Sequence, residues 1–279
     1  MNHLRQSIGR ADATSSPAGA RQGRVAIVIP ACNEEACLGQ VLEELLGVVD
    51  ARRFLVAVGV NNSSDGTAAI ARRYPVIVAE TLARGYGHGC QAAIEAVNKI
   101  APEVEAYVFY AGDGASDPRD VLPLVHAYEQ GYDLVLGART LQWRNWRSMR
   151  ISHVLANLSL GWWCGLLTGR WFTDLAPLRL IGRKLFAALA LREFTFGWTI
   201  EAQIGAAMFG ANICEVPAHE RARVAGEQKV SGVTWRRTCS IGCRIIAAGW
   251  RSRRRYARLL AEAERARLCP ATVGAQASV

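Results

Sequence analysis

The stretch RVAIVIP at residues 24–30 decides the fold class of this 279-residue chain. Its apolar residues are consecutive and mostly β-branched, which is typical of a strand in a parallel sheet that is covered on both faces. A helix is predicted directly after it, over residues 34–48, because the apolar residues between Leu38 and Leu46 recur on one helical side. The two elements together predict the first β-α step of an α/β protein.

The same alternation continues along the chain. Further strands are predicted at 54–60, 76–79, 106–110 and 134–137, with helices between them at 67–74, 90–99 and 118–130. Successive β-α steps with short connections predict a Rossmann-like open, mostly parallel sheet flanked by helices. Ligands of such sheets collect at the carboxyl ends of the strands, and polar or glycine-rich segments stand there, at 33–34, 61–65, 84–89 and 113–117.

Composition excludes several other classes of protein. Apolar residues make up 51% of the chain, too many for a disordered protein. The longest apolar run, residues 154–168, is shorter than the roughly 18 to 20 residues of a membrane span. Residues 1–23 are polar and lack the apolar centre of a secretory signal, so we expect a disordered tail there and a second tail at 268–279.

The eight cysteines lie in apolar or helical surroundings, which favours reduced thiols in a cytoplasmic protein over a disulfide framework. Cys239 and Cys243 are four residues apart on a predicted helix, but no further His or Cys completes a zinc site there.

The net charge of +9 is concentrated near the C-terminus. Residues 221–267 hold thirteen Lys or Arg and three Glu, which accounts for the whole excess. Such a segment indicates an anionic partner, namely a diphosphate, a membrane surface or a nucleic acid. Residues 233–267 mix Trp235, Trp250 and isoleucines with dense arginines, which predicts a basic amphipathic helix on an anionic membrane, with a solvated helix as the alternative. No recognition motif supports nucleic acid.

Several motifs, taken in order, resemble one enzyme family. They are VAIVIPACNEEACLGQVLEEL (25–45), NNSSDGT (61–67), ARGYGHGCQAAI (83–94), YAGDGASDP (110–118), DLVLGAR (133–139), TDLAPLRLI (173–181), FGWTIEAQIGAAMFGANICEVP (196–217) and ARVAGEQKVSG (222–232). The chain thereby resembles family 2 glycosyltransferases of the GT-A fold over about residues 24–250, and within them the polyprenyl- and dolichyl-phosphate sugar transferases. This resemblance places the catalytic domain at 24–232.

The resemblance implies that a sugar passes, with inversion, from a nucleotide sugar to a polyprenyl-phosphate-like or other membrane-proximal acceptor. It favours a UDP-sugar over a GDP-sugar, and a protein that is cytoplasmic or peripheral on the cytoplasmic membrane face. Two alternatives stay open. One is a soluble enzyme that glycosylates a small molecule or natural product, and the other is a non-catalytic GT-A relative that serves as a binding or partner subunit.

The sequence departs from the family pattern at the metal motif. Asp113 is present, but Ala111 stands where the family has the first of two aspartates, and Ala115 replaces a further oxygen ligand. Because Mg²⁺ and Mn²⁺ prefer several oxygen ligands, we expect a metal held weakly by Asp113. Basic residues would then neutralise part of the diphosphate charge. In the turn after the second strand, Val60 and Asn61 replace the aspartate that contacts the base.

The resemblance and the strand-end positions together assign the site residues. The predicted donor contacts are Pro30, Ala31, Asn33, Glu34, Asn61, Ser63, Asp65, Gly85, Tyr86, His88, Gly112, Asp113, Arg139, Arg223 and Lys229. Asp113 and Asp174 are the predicted catalytic carboxylates, and Asp174, Trp198 and Glu201 are placed on the acceptor side.

Structural alternatives accompany several of these assignments. Glu201 could pair with an arginine, Asp117 could cap a helix, and Glu34 could only favour a helix N-terminus. Tyr86 and His88 could be plain loop residues. The apolar stripe from Ile151 to Leu166 fits either a core helix or a membrane-facing helix beside an acceptor channel.

Overall fold

A computed structural model describes residues 21–142, 145, 151–223 and 235–268. Its strands are β1 (Val25–Ala31), β2 (Phe54–Asn61), β3 (Ile77–Thr81), β4 (Ala106–Phe109), β5 (Leu134–Ala138), β6 (Arg179–Gly182) and β7 (Ile213–Pro217). They form one sheet in the order β3-β2-β1-β4-β6-β5-β7. Of these described strands, only β6 runs antiparallel to its neighbours, β4 and β5. The predicted open, mostly parallel sheet is confirmed.

Helices cover both faces of this sheet. They are α1 (Glu35–Leu46), α2 (Thr67–Ala71), α3 (Tyr86–Ile100), α4 (Val121–Glu129), α5 (Ile151–Thr168), α6 (Arg183–Leu189), α7 (Trp198–Met208) and α8 (Trp235–Leu268), with short 3₁₀ turns at Pro118–Asp120 and Arg139–Leu141. Of the described helices, none combines the length and the apolar character that crossing a membrane requires.

Strand β1 shows why its run of apolar residues predicts the fold. Ala26 and Val28 belong to the apolar cluster shared with α3 and α7, while Ile27 and Ile29 belong to the cluster on the opposite face, shared with α1 and α4. Successive side chains of a strand point to opposite faces, so a strand covered twice must be apolar at every position.

Helix α3 begins earlier than the sequence indicated. The prediction started it at Cys90 and treated residues 83–89 as a loop, but the helix includes Tyr86 and the glycines that follow. Gly89 faces β2 so closely that a Cβ added at Gly59 would lie 1.9 Å from the carbonyl oxygen of Gly89. The glycines therefore serve helix–strand contact, which brings the start of α3 to the carboxyl edge of the sheet.

Helix α8 packs on the domain instead of standing apart from it. Ala248, Ser252 and Tyr256 are buried, and the Tyr256 hydroxyl donates a hydrogen bond of 2.9 Å to the carbonyl oxygen of Leu189.

At the other end of the chain, Arg21 forms a 3.2 Å ion pair with Asp133. Of the two predicted tails, residues 1–20 and 269–279 lie outside the described residues.

The contact between Gly59 and Gly89 generates a prediction about stability. Gly59→Ala should destabilise the protein by roughly 1–3 kcal/mol or more, because the new methyl group overlaps backbone atoms of α3. Gly242→Ala is the matched control, since nothing lies within 4 Å of a Cβ there and alanine favours the helix. Urea unfolding measures both variants, and a wild-type midpoint for Gly59→Ala would contradict the packing described.

Candidate active site

The turns that follow β1 and β2 are held together by hydrogen bonds. The amide of Asn33 donates to the Ser63 hydroxyl at 2.9 Å, and the amide of Ser64 donates to the Asn33 side-chain oxygen at 2.8 Å. Asn33 takes a φ of 52°, a left-handed conformation that asparagine adopts more readily than most residues. Two of the predicted donor contacts, Asn33 and Ser63, thus form one rigid edge.

Asp65 extends the same connection. Its carboxylate accepts hydrogen bonds from the amide of Glu35 at 3.1 Å, from the amide of Thr67 at 3.1 Å and from the Thr67 hydroxyl. Burial raises the pKa of Asp65, but these hydrogen bonds outweigh burial and leave the pKa below its usual value. The carboxylate that was predicted to contact the donor therefore anchors the turn in this structure.

A cleft of about 530 Å³ opens beside these turns. Asn61, at the end of β2, is buried and donates from its side-chain amide to the Gly85 carbonyl oxygen at 3.2 Å. The cleft is lined by Cys32, Asn33, Asn61, Asn62, Ser63, Ser64, Arg84 and Gly85. Four of the predicted donor residues thus meet in a cavity of the size that small-ligand sites have.

The first turn of α3 closes one side of this region. The amide of Gly87 donates to the Phe194 carbonyl oxygen at 2.8 Å, and the His88 ring stacks on the Phe194 ring with 4.5 Å between centroids. Tyr86 instead packs against the apolar cluster, and burial raises the pKa of its hydroxyl well above the usual value. Of the two side chains, Tyr86 therefore supports the core, and His88 lies against the segment that precedes α7.

Asp113 lies in the turn that follows β4. Its carboxylate accepts a hydrogen bond of 3.1 Å from the amide of Ala115, and its side chain keeps 27% of its surface exposed. A Cβ at Gly112 would lie 3.3 Å from the Pro30 carbonyl oxygen, so the turn rests directly on the end of β1. Asp113 is therefore a partly exposed carboxylate at the centre of the strand-end edge.

Arg223 bridges the turns after β1 and β4. Its Nε lies 3.4 Å from an Asp113 oxygen, and one of its terminal nitrogens lies 3.4 Å from both Glu34 oxygens. The approach of its segment is fixed by the amide of Arg221, which donates to the Ala115 carbonyl oxygen at 2.8 Å. One guanidinium thus joins two carboxylates at the strand ends. Lys229, the other predicted basic contact, lies outside the described residues.

Arg139 and Asp174 form a buried ion pair a short way along the edge. The amide and Nε of Arg139 each donate to one Asp174 oxygen at 2.9 Å, and a terminal nitrogen donates to the other at 3.0 Å. A second carboxylate, Glu220, lies 3.4 Å from the guanidinium. Burial lowers the pKa of Arg139, but the two carboxylates outweigh it and raise that pKa above its usual range.

Asp174 is fully enclosed by this pairing, with 0% of its side chain exposed. Both of its oxygens accept from Arg139, so in this structure it orients that guanidinium. Trp198 and Glu201 are likewise buried. Glu201 accepts from the amides of Arg192 and Glu193 and from the Arg255 side chain, and burial raises its pKa. The structure does not bring these predicted acceptor-side residues to the cleft.

Two charged residues of this region were not identified from the sequence. Glu220 follows β7 at the same sheet edge, and burial raises its pKa above the usual value. Its strand-end position was the signal that could have found it. Arg179 is fully buried in β6 and donates to the Thr199 carbonyl oxygen at 2.9 Å; burial lowers its pKa to about 10. A lone arginine in an apolar strand gives no indication of its partner.

The described carboxylates do not form a ready-made metal site. In the ranges that the structure describes, no three His, Cys, Asp or Glu side chains come together in a suitable group. Asp117 caps the turn before α4 by accepting from the amide of Arg119, and the Arg119 side chain lowers the pKa of Asp117 to about 2. The capping alternative for Asp117 is confirmed, which leaves Asp113 as the metal-facing candidate of this turn.

Comparison with protein families identifies the family of the chain. Residues 26–171 match the model of the family described as glycosyl transferase family 2. The chain belongs to that family. It is a glycosyltransferase of the GT-A fold.

Named relatives extend the comparison. A dolichyl-phosphate hexose transferase of Haloferax volcanii is 31% identical over 208 residues, covering 74% of this chain and 86% of the relative. An uncharacterized glycosyltransferase of Mycobacterium tuberculosis is 29% identical over 223 residues, covering 75% and 90%. Glucosyl-3-phosphoglycerate synthase from M. tuberculosis, solved with Mn²⁺, UDP and glucosyl-3-phosphoglycerate, shares the fold, with a TM-score of 0.60, 19% identity and coverage of 82% and 80%.

The buried pair generates a prediction that separates two roles for Asp174. Asp174→Asn should destabilise the protein by about 3–5 kcal/mol, because it leaves the Arg139 guanidinium without its buried counter-charge. Glu220→Gln is the control and should lower the free energy of unfolding much less, because the contact of Glu220 with Arg139 is longer, at 3.4 Å. Urea unfolding and steady-state kinetics measure both. An Asp174→Asn protein with wild-type stability and a reduced kcat would instead favour the acceptor-side role.

Proposed function

We propose that this glycosyltransferase moves a sugar, with inversion, from a UDP-sugar to a phosphate-bearing polyprenyl-type lipid at an anionic membrane surface. The main support for a UDP-sugar donor is the ion-pair bridge that Arg223 forms between Asp113 and Glu34, beside the cleft of about 530 Å³. The relative named as a dolichyl-phosphate hexose transferase supports a lipid-phosphate acceptor.

The donor would occupy the cleft and, at the same time, contact Arg223. The nucleoside fits the side that carries Asn33, Asn61 and Ser63, whose amides and hydroxyl can pair with a uracil or ribose edge. The diphosphate then lies at Arg223, whose planar fork suits two phosphate oxygens. Arg223 would exchange part of its contact with the two carboxylates for the diphosphate, and it stabilises the negative charge that develops on the leaving group.

Asp113 would hold a divalent metal beside that diphosphate. The fit is partial, because one exposed carboxylate supplies few of the oxygen ligands that Mg²⁺ or Mn²⁺ takes. A bound metal would neutralise charge on the departing nucleoside diphosphate. The structures of glucosyl-3-phosphoglycerate synthase with Mn²⁺ and UDP or UDP-glucose support a metal and a UDP donor.

The acceptor chemistry needs little from the protein beyond positioning. An acceptor phosphate is already ionised, so its oxygen can attack the anomeric carbon while the bond from that carbon to the diphosphate oxygen breaks. No proton has to be removed in this step. Asp174 is buried and paired with Arg139, so it is not placed to act as a base, which is consistent with an acceptor that needs none.

An exposed apolar face on α5 supports the membrane component. Trp162 and Leu166 keep 65% and 69% of their surface exposed, and Leu155 lies on the same helical side. Trp171 extends this face, with its ring 5.6 Å from that of Trp162. Nearby, Arg253 of α8 donates to the Leu167 carbonyl oxygen at 2.7 Å, which adds positive charge beside the apolar face. Tryptophan with arginine is typical of membrane-interface surfaces.

The Arg223 bridge can be tested without a metal. Arg223→Gln should weaken UDP binding by about tenfold, because a charge-assisted contact to the diphosphate is lost. Arg221→Gln is the matched control, since that guanidinium pairs with Glu44 at 2.7 Å, and its effect should stay within about twofold. Calorimetry in EDTA measures both variants, and equal UDP affinities in wild type and Arg223→Gln would remove Arg223 from the donor site.

The metal assignment rests on Asp113 and has its own control in the same turn. Asp113→Asn should abolish the tightening of UDP binding that Mn²⁺ produces, whereas Asp117→Asn should keep it, because Asp117 is committed to Arg119. Ala111→Asp should increase the tightening by adding a carboxylate. UDP titrations with and without Mn²⁺ decide the matter, and an unchanged Mn²⁺ effect in Asp113→Asn would show that the metal binds elsewhere or not at all.

The apolar face on α5 predicts reversible vesicle binding. Trp162→Gln combined with Leu166→Gln should lower binding to phosphatidylglycerol vesicles by roughly tenfold or more, since two large apolar side chains no longer enter the interface. Ile100→Gln with Leu122→Gln, on exposed positions of other helices, should leave binding unchanged. Co-sedimentation measures both proteins. A soluble acceptor would be favoured if the wild-type protein does not bind the vesicles, or if the two double variants bind them equally well.

A further inference from the structure

A second concave site lies away from the donor cleft, between residues 190–193 and α8. It is a cavity of about 410 Å³ whose wall is mostly arginine. The lining residues are Arg192, Arg251, Arg254, Arg255, Arg258, Leu259 and Glu262. None of them lines the donor cleft, so the cavity is a separate feature of the surface.

Two of these arginines are fixed by carboxylates behind the wall. Arg255 donates to the buried Glu201 at 2.7 Å and to the Ala190 carbonyl oxygen at 2.7 Å. Arg251 makes a two-point contact with Glu193, at 2.8 and 2.9 Å. These partners hold the two guanidinium groups in place, so the cavity has a defined cationic wall before any ligand arrives.

For the other three arginines, the described residues supply no carboxylate partner. Within the part of the chain that the structure describes, Arg192, Arg254 and Arg258 form no ion pair, and Arg254 lies over the Trp250 ring at 5.1 Å from its centroid. Glu262 is the one carboxylate among the described lining residues. Several like charges around one cavity repel one another, and a bound anion would relieve that repulsion.

We propose that this arginine cavity binds a phosphate-bearing anion at a site distinct from the donor site. Guanidinium groups bind phosphate through paired N–H donors, and the cavity presents several of them towards one volume. The phosphate belongs either to a free phosphorylated molecule or to an anionic lipid headgroup. The proposal does not depend on the donor or acceptor assigned above, because the two clefts share no residues.

Calorimetry with inorganic pyrophosphate tests the site on the full chain in EDTA, with UDP present to occupy the donor cleft. Arg254→Gln combined with Arg258→Gln should weaken pyrophosphate binding by about tenfold or more, because two charge-assisted contacts are lost. Arg244→Gln with Arg265→Gln removes the same charge from the same helix outside the cavity, and should change the affinity by less than about twofold. Both pairs are exposed, so the folded state should be retained.

A wild-type measurement makes the test independent of the variants. Pyrophosphate should protect Arg192, Arg254 and Arg258 from phenylglyoxal, as read by peptide mass spectrometry, and should leave Arg244 and Arg265 reactive. Vesicles separate the two sources of phosphate. Loss of phosphatidylglycerol binding in the cavity variant alone identifies a lipid headgroup, whereas loss of pyrophosphate binding with unchanged vesicle binding identifies a free ligand. Equal behaviour of both double variants in both assays, or no selective protection, would overturn the proposal.

Discussion

The buried contact between Arg139 and Asp174 organises one half of the carboxyl edge of the sheet, where the donor site is proposed. Arg139 follows β5, Asp174 lies before β6, and Glu220, on the other side of the same guanidinium, follows β7. One cation therefore joins three segments that are far apart in the sequence. Because a charge with no surface exposure must be paired, Asp174 fixes where Arg139 lies and, through Glu220, where the segment towards Arg223 begins.

The other half of the site depends on close backbone contact. Gly59 and Gly89 let α3 approach β2, and the amide of Gly87 is satisfied by the Phe194 carbonyl oxygen. These contacts place the start of α3 beside Asn61, while the turn at Asn33 is held to Ser63. The proposed donor cleft thus lies between two edges that hydrogen bonds hold in place. Such preorganisation favours stabilisation of a charged leaving group.

Local pattern explains what the sequence predicted well. The apolar runs gave β1 to β5 and most helix positions within a few residues, because both faces of the sheet are covered and the helices have one apolar side. The start of α3 was predicted four residues late, since glycine is unfavourable in isolated helices and only tertiary contact explains it here. The pairing of Asp174 with Arg139 joins distant segments and leaves no local signal. For Glu201 the alternative of an arginine partner is confirmed, but the sequence did not show that the partner is Arg255.

The basic C-terminal region illustrates the same limit, since its arginines take different roles that the total charge could not separate.

We propose above that Asp113 holds a metal on the diphosphate of a bound donor. Paramagnetic broadening of amide NMR signals by Mn²⁺, with UDP bound, tests it most directly. With UDP bound, the amide signals of residues 112–114 and of Glu34 should broaden first. Without UDP, the same signals should broaden only weakly. Broadening centred on other residues, or equal broadening with and without UDP, would contradict the metal role of Asp113.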